Sequence, residues 1–371
     1  MSIAPLTQTS RIFVAGHRGM AGSAIVRALE SDGYCHIITR THAELDLLDQ
    51  QAVRHFFKTE PIDQIVLAAA KVGGIWANNT YRADFIYQNL MMECNVIHEA
   101  FSAGIMRLLF LGSSCIYPKL APQPLKEESL LSGPLEPTNQ PYAVAKIAGI
   151  ELCQSYNRQY NTRYRCIMPT NLYGPNDTYD LENSHVLPAL IRKFHLAKLA
   201  SMGDWKAVAT DDRTYGDIPD MLRSSLGIPS EYRSADSPEF RAGSEANHKP
   251  EVMLWGTGTP RREFLHVDDM ASAAKFVMEM EDSAYTSACK NGNISHINVG
   301  SGEDLTIRKL AETVRAEVGY LGQVTWDVTK PDGTPQKLLD VSLINALGWK
   351  ARISLPEGIR HTYQTYLERV R

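Results

Sequence analysis

Ser113, Cys115, Tyr142 and Lys146 are the residues of this 371-residue chain whose types and spacing can do chemistry together. Tyr142 and Lys146 stand four apart, so a helix over 141–160 would put both side chains on one face. An ammonium beside a phenol favours the phenolate, and a group with an ordinary pKa of about 10 needs such help to trade protons near neutrality. A thiol such as Cys115 is ordinarily near pKa 8.5 and only about 3% thiolate at pH 7. Tyr-x-x-x-Lys occurs once in the chain, but about 0.6 such pairs are expected by chance in a chain of this composition. Its weight therefore comes from context. The apolar run 107–111 reads as a buried strand ending just before Ser113, and a proton donor, a cation and a hydroxyl at a strand end are the parts of a carbonyl reductase.

The elements that must position these residues begin with a strand over 11–15, followed by Gly16-His-Arg-Gly19-Met-Ala-Gly22 and a helical pattern carried by Ile25, Val26 and Leu29. Glycines at a strand end let backbone amides approach a pyrophosphate, and the helix start adds partial positive charge. A second strand over 35–38 ends at Arg40. An acid there would bind the ribose hydroxyls of NAD; Arg40, with Arg18 in the glycine turn, suits the extra phosphate of NADPH. Further strands over 64–69, 107–111 and 164–168 alternate with helices over 49–58, 83–103 and 141–160. This is the pattern of an α/β, doubly wound parallel sheet, whose ligands sit beyond the carboxyl ends of its strands. The segment 118–141 holds six prolines and reads as an irregular lid or substrate loop.

Composition narrows the function classes. A hydrophobic content of 44% over 371 residues supports a large core and more than one domain. A net charge of −4 with dispersed basic residues excludes a nucleic-acid footprint. No apolar run approaches the roughly 20 residues that span a bilayer, and the N-terminus has no leader pattern, so a cytoplasmic protein is expected. Cys35, Cys94, Cys115, Cys153, Cys166 and Cys289 lack Cys-x-x-Cys spacing, which argues against a zinc site and a disulfide framework. No metal is expected.

The Gly-x-x-Gly-x-x-Gly turn, a serine ahead of Tyr-x-x-x-Lys and a long second half together resemble the extended short-chain dehydrogenase/reductases. Four strings are similar to the branch that makes GDP-L-fucose: Ala-Ala-Ala-Lys-Val-Gly-Gly-Ile (68–75), Leu-Gly-Ser-Ser-Cys-Ile-Tyr-Pro (111–118), Pro-Thr-Asn-Leu-Tyr-Gly-Pro (169–175) and Arg-Glu-Phe-Leu-His-Val-Asp-Asp (262–269). The resemblance implies a bifunctional enzyme that epimerises GDP-4-keto-6-deoxy-D-mannose at C3 and C5 and reduces its C4 ketone with NADPH. Cys115 and His185 match the base/acid pair of the epimerisation. Tyr142 would protonate the C4 alkoxide, Lys146 would bind the nicotinamide ribose and lower the tyrosine pKa, and Ser113 would hold the carbonyl. For the cofactor, the resemblance implies Gly16, Arg18, Gly19, Met20 and Gly22 at the first turn and Arg40 at the second strand. It adds Leu111, Gly112, Ser113 and Ser114 after the fourth strand, then Lys146, Pro169, Asn171, Leu172 and His185. For the GDP-sugar it implies Lys193, Trp255, Arg262, Asp332 and Lys337. Taken alone, Trp255 reads equally well as a stacking plane or a core residue.

These matches divide the chain into an NADP-binding domain over 1–178, rejoined by 263–299, and a substrate-binding domain over 179–262 and 300–371. The second is interrupted at about 200–251 by a Ser-, Asp-, Arg- and Pro-rich segment with one amphipathic stretch around 218–226, expected to be surface-exposed and to form a lid or reshape the sugar pocket. A related GDP-4-keto sugar, such as a colitose or 6-deoxyheptose precursor, would use the same catalytic set. An epimerase or dehydratase holding NAD is disfavoured by Arg18 and Arg40, and a non-catalytic NADPH-binding protein by the intact Ser113, Tyr142 and Lys146. The resemblance also implies a homodimer through the helices at 83–103 and 141–160.

Overall fold

The computed structural model describes residues 5–229, 249–290, 294–330 and 332–370. They form two compact units. The first comprises Met1–Leu172, Glu263–Glu303 and Lys337–Ile353. Its centre is a six-stranded parallel sheet. Strands β1 (Arg11–Ala15), β2 (His36–Ile38), β3 (Gln64–Leu67), β4 (Arg107–Leu111) and β5 (Arg163–Pro169) join Ile297–Val299 in the order β2-β1-β3-β4-β5 and then Ile297–Val299. β3 and β4 are buried along their whole length, as continuous apolar strands covered on both faces should be.

The helices of this unit include α1 (Met20–Ser31), α2 (Gln50–Thr59), α3 (Ile75–Thr80), α4 (Arg82–Ser102) and α5 (Gln140–Tyr160), with Val267–Glu279 packed on α1. Asp49 caps α2 by accepting from the amides of Gln51 and Ala52, satisfying two of the donors a helix start leaves open. α5 starts with Pro141 in its first turn and ends at Asn161 in a left-handed conformation, a stop that asparagine tolerates. α4 and α5 approach closely at Gly149, where a Cβ would lie 2.4 Å from Phe110 Cζ and 2.9 Å from Glu93 Oε2.

One expectation changes here. The sequence assigned all of 300–371 to the second domain, but Lys337–Ile353 returns to the first unit. Backbone bonds between Leu125 and Leu338 (2.7 Å) and between Asp340 and Leu125 (2.8 Å) hold it, with a further bond from Leu339 N to the Glu263 carboxylate (3.0 Å). The same contacts fix the middle of the proline-rich segment. Leu125 is buried, and Glu127 accepts from Asn298 N while Tyr117 donates to Asn298. The middle of this loop is thereby held to the first unit.

The second unit comprises Tyr173–Arg262, Asp304–Gln336 and Ser354–Arg371. Its helix Val186–Ser201 packs against Trp205–Tyr215 and Ile307–Val318, and the latter against Leu355–Arg369. Strands Glu251–Trp255 and Gln323–Asp327 pair in parallel. Over the described residues 200–229, the 200–251 segment is not the surface excursion expected of its composition. Trp205 is 1% exposed and Asp211 0%, because Arg192 and Asp211 form a buried ion pair (2.8 Å) that Tyr366 joins through its hydroxyl. Ile218, Leu222 and Leu226 are likewise buried. The Ser234-Ala-Asp-Ser-Pro-Glu stretch lies outside the described residues.

Candidate active site

The glycine turn is built for close approach. Gly16 has φ +85°, and a Cβ there would lie 2.7 Å from Ala69 N, while one on Gly22 would lie 2.2 Å from Gly16 O. Side chains are excluded at both positions. The turn therefore leads directly into the α1 N-terminus, whose cap is Gly19, with Met20 as the first helical residue. Such a cradle fits a dinucleotide pyrophosphate.

Beyond β2, Arg40 donates to Glu60 (2.7 Å) and lies over the Phe56 ring at 5.1 Å, while Arg18 is exposed in the glycine turn. Both arginines face Glu44, whose carboxyl is held low chiefly by hydrogen bonds from Thr41 and secondarily by these cations. A second cation and a half-buried, oriented guanidinium suit a phosphate at this edge.

At the end of β4, Ser113 caps the short 3-10 turn Ser114–Ile116. Its side-chain oxygen accepts from Cys115 N (3.4 Å), and the same hydroxyl acts on both the Cys115 thiol and the Tyr142 phenol, favouring the anion of each. Leu111, Gly112 and Ser114 are buried around it, and the Met168 side chain lies against Gly112, where a Cβ would be 2.3 Å from Met168 Cε. Burial pushes the Cys115 thiol up, opposed first by the charge of Lys337 and then by the Ser113 bond. Burial also pushes the Tyr142 phenol well up, and Cys115 and Glu93 add to this while Ser113 opposes it.

Lys146 is 2% exposed. It donates to Leu111 O (3.1 Å), pairs with Glu93 Oε1 (3.0 Å), and sits 4.7 Å from the Phe110 ring centroid and 5.9 Å from that of Tyr142. The ammonium is engaged by Glu93 and the end of β4. Pro169 ends β5, Asn171 donates to Glu263 O (2.8 Å), and Leu172 packs against the core of the same unit.

Lys337 belongs to the first unit, where its charge acts on the Cys115 thiol, whereas Lys193, Trp255, Arg262 and Asp332 belong to the second unit. In the second unit, His185 is the N-cap of Val186–Ser201 and is exposed, and Lys193 lies two turns further along the same helix. Burial pushes Lys193 and Arg262 down from their ordinary values. Asp332 accepts from the amide (2.9 Å) and hydroxyl (2.7 Å) of Thr257, in the turn that follows the 64%-exposed Trp255. A Cβ on Gly333 would lie 3.0 Å from Arg262 Nη2, so Trp255, Arg262 and Asp332 share one locality. Exposure at this level decides that Trp255 is not a core residue.

Residues 12–243 and 237–300 match the family model described as "NAD dependent epimerase/dehydratase family". The chain belongs to the NAD dependent epimerase/dehydratase family. Within it, the chain is 52% identical over 358 residues to the GDP-L-fucose synthase of Escherichia coli (strain K12), covering 96% of this chain and 97% of that one. It is 49% identical to the putative GDP-L-fucose synthase 2 of Arabidopsis thaliana, covering 98% and 94%. A solved structure described as MlghC, a GDP-mannoheptose C4 reductase from Campylobacter jejuni with NADP bound, superposes with a TM-score of 0.80 at 39% identity, covering 98% and 99%.

The residue that sequence reasoning missed is Glu93. It falls at the spacing of the buried face of α4, in register with Asn89, Val96, Ile97 and Ala100. A charged residue on an otherwise buried helical face was the available signal.

Proposed function

We propose that the chain is an NADPH-dependent epimerase-reductase that converts GDP-4-keto-6-deoxy-D-mannose to GDP-L-fucose. The observation that carries this reading is 52% identity to a GDP-L-fucose synthase along nearly the whole chain, supported by Ser113 acting on both the Cys115 thiol and the Tyr142 phenol. C3 and C5 flank the C4 carbonyl, so their protons are acidified through an enolate, and one base serves both centres. Cys115 is that base, helped toward thiolate by Lys337, and His185 is the acid that returns the proton.

Bound NADPH supplies the hydride to C4. Ser113 and Tyr142 donate hydrogen bonds to the C4 oxygen, stabilising the enolate in one half-reaction and the alkoxide in the other. Tyr142 gives its proton to that alkoxide. The cofactor is held by the turn at Gly16, Gly19 and Gly22 and by Lys146, Asn171 and their neighbours, with Arg18 and Arg40 taking the 2′-phosphate. Lys193, Trp255, Arg262 and Asp332 hold the GDP-sugar. The assembly is a homodimer through α4 and α5, a role supported by the exposure of Tyr87 and Tyr160 on these helices, and the compartment is the cytoplasm, consistent with six free cysteines. No described helix is long and apolar enough to cross a membrane.

The test is the loss of NADPH absorbance with GDP-4-keto-6-deoxy-D-mannose, followed by identification of the sugar. GDP-L-fucose formed with NADPH oxidised is the expected result. A folded protein that oxidises NADPH only with a GDP-4-keto-heptose, the class of substrate named for the Campylobacter jejuni reductase, would move the assignment to that sugar.

A further inference from the structure

Lys146 and Glu93 form a buried ion pair inside the first unit, with side chains 2% and 1% exposed. A buried ammonium is tolerated only with a compensating charge and hydrogen bonds. Lys146 has both, in Glu93 and Leu111 O. Glu93 has nothing else. Neither of its oxygens has a well-aimed hydrogen-bond partner among the described residues, so the carboxylate is held by charge rather than by a bonding network. The fold makes room for this contact: Gly149, one turn along α5 from Lys146, is the position where a Cβ would press on Phe110 and on Glu93 Oε2.

Building a carboxylate into a dry face of α4, with a glycine on the facing helix to admit it, has no packing benefit. A leucine or methionine would fill the space without the desolvation cost. We propose that Glu93 is a positioning residue of the reduction: it holds the Lys146 ammonium at the end of β4 and keeps the Tyr142 phenol protonated until the alkoxide forms. The inference rests on the reading of Tyr142 as the proton donor to the C4 oxygen.

The groups facing this pair are known from each element around it. α5 presents Lys146 and Tyr142, the turn after β4 presents Cys115, α4 itself presents Cys94, and β5 presents Cys166. Lys337 acts on Cys115. Burial pushes the Glu93 carboxyl up, and Lys146, the one cation against it in this set, favours its charged form; the field of that carboxylate opposes ionisation of Tyr142, Cys94 and Cys166 alike. A phenol acting as an acid is active below its pKa, so removing the carboxylate brings the alkaline loss of reduction to lower pH.

The experiment compares Glu93→Gln and Glu93→Asp with the unaltered enzyme in three measurements: thermal melting, NADPH affinity by fluorescence, and the pH profile of NADPH oxidation. For Glu93→Gln the alkaline limb should move down by about one pH unit and kcat should fall about tenfold or more, with KM for the sugar nucleotide within about twofold. NADPH affinity should weaken several-fold. Glu93→Asp keeps the charge one methylene further away; it should recover much of kcat and move the limb in the same direction by less. A purely structural Glu93 would lower the melting temperature and leave the limb and the NADPH affinity in place, and that result overturns the assignment. If Glu93→Gln does not fold, the limb of Glu93→Asp decides by itself. An unaltered enzyme that binds NADPH but does not turn over this sugar would sink the substrate, while the NADPH affinities of the two variants would still test Glu93.

Discussion

Ser113 touches both chemistries, and the separate roles on either side of it can be pulled apart. Tyr142→Phe removes the proton donor and should lower reduction by about a hundredfold or more, while deuterium from solvent still enters the sugar at C3 or C5; mass spectrometry of the sugar recovered from deuterated buffer reads this directly. Loss of both activities would instead make Tyr142 necessary for holding the ketone. The Cys115 thiol is raised by burial, and a base works in its deprotonated form, so exchange at C3 and C5 should keep climbing with pH past the ordinary thiol range. Lys337→Met removes the cation that favours the thiolate and should push that climb to still higher pH. At the cofactor edge, Arg40→Ala should weaken NADPH about tenfold to a hundredfold, the worth of a charge-assisted bond to phosphate, with NADH affinity unchanged.

Among elements, the helices carry the information that strands cannot. α5 sets Tyr142 and Lys146 one turn apart, and α4 brings Glu93 against it, but neither periodicity reveals which charged residue turns inward. The helix Trp205–Tyr215 makes the same point. Its Asp211-Asp-Arg-Thr string is polar enough to pass for a surface loop, yet Asp211 is fully buried because Arg192 from the preceding helix meets it. Breaking one member of such a pair strands the other charge. Asp211→Ala should therefore cost about 3–5 kcal/mol of stability, visible as a drop in the denaturant midpoint. A loss under 1 kcal/mol would mean that the pair is solvated in solution.

Across the whole molecule, each unit buries a neutral imidazole. His296 lies in the first unit, bonded to the Tyr117 hydroxyl (2.7 Å) and pushed down to about 3, and His195 lies in the second, bonded to Tyr363 (2.9 Å) and pushed down to about 4; desolvation is the main cause in both. A depressed folded-state pKa gives stability that is present above the unfolded value, near 6.5, and is lost as pH falls through the folded value. Each histidine should cost about 2 kcal/mol by pH 5. Asp177, pushed up to about 7 by burial, runs the other way, with stability present below its ordinary range and lost as pH rises toward 7. Thermal melts across pH 4 to 8 should show the acid loss, and His296→Asn should flatten it.

The order of elements, the parallel sheet, the glycine turn and the Ser113, Tyr142 and Lys146 constellation were legible in the sequence, because period, turn chemistry and local spacing are properties of short stretches of chain. The observed bounds of β1 and β4 coincide with the sequence reading, and those of α4 and α5 shift by a single residue. Three matters were decided only in three dimensions: the return of Lys337–Ile353 to the first unit, the burial of Asp211, and the capture of Lys146 by Glu93. Each is a contact between residues distant in sequence whose energy depends on desolvation. A carboxylate written in a sequence has the same charge wherever it falls, and only the packed fold determines whether water or an ammonium answers it.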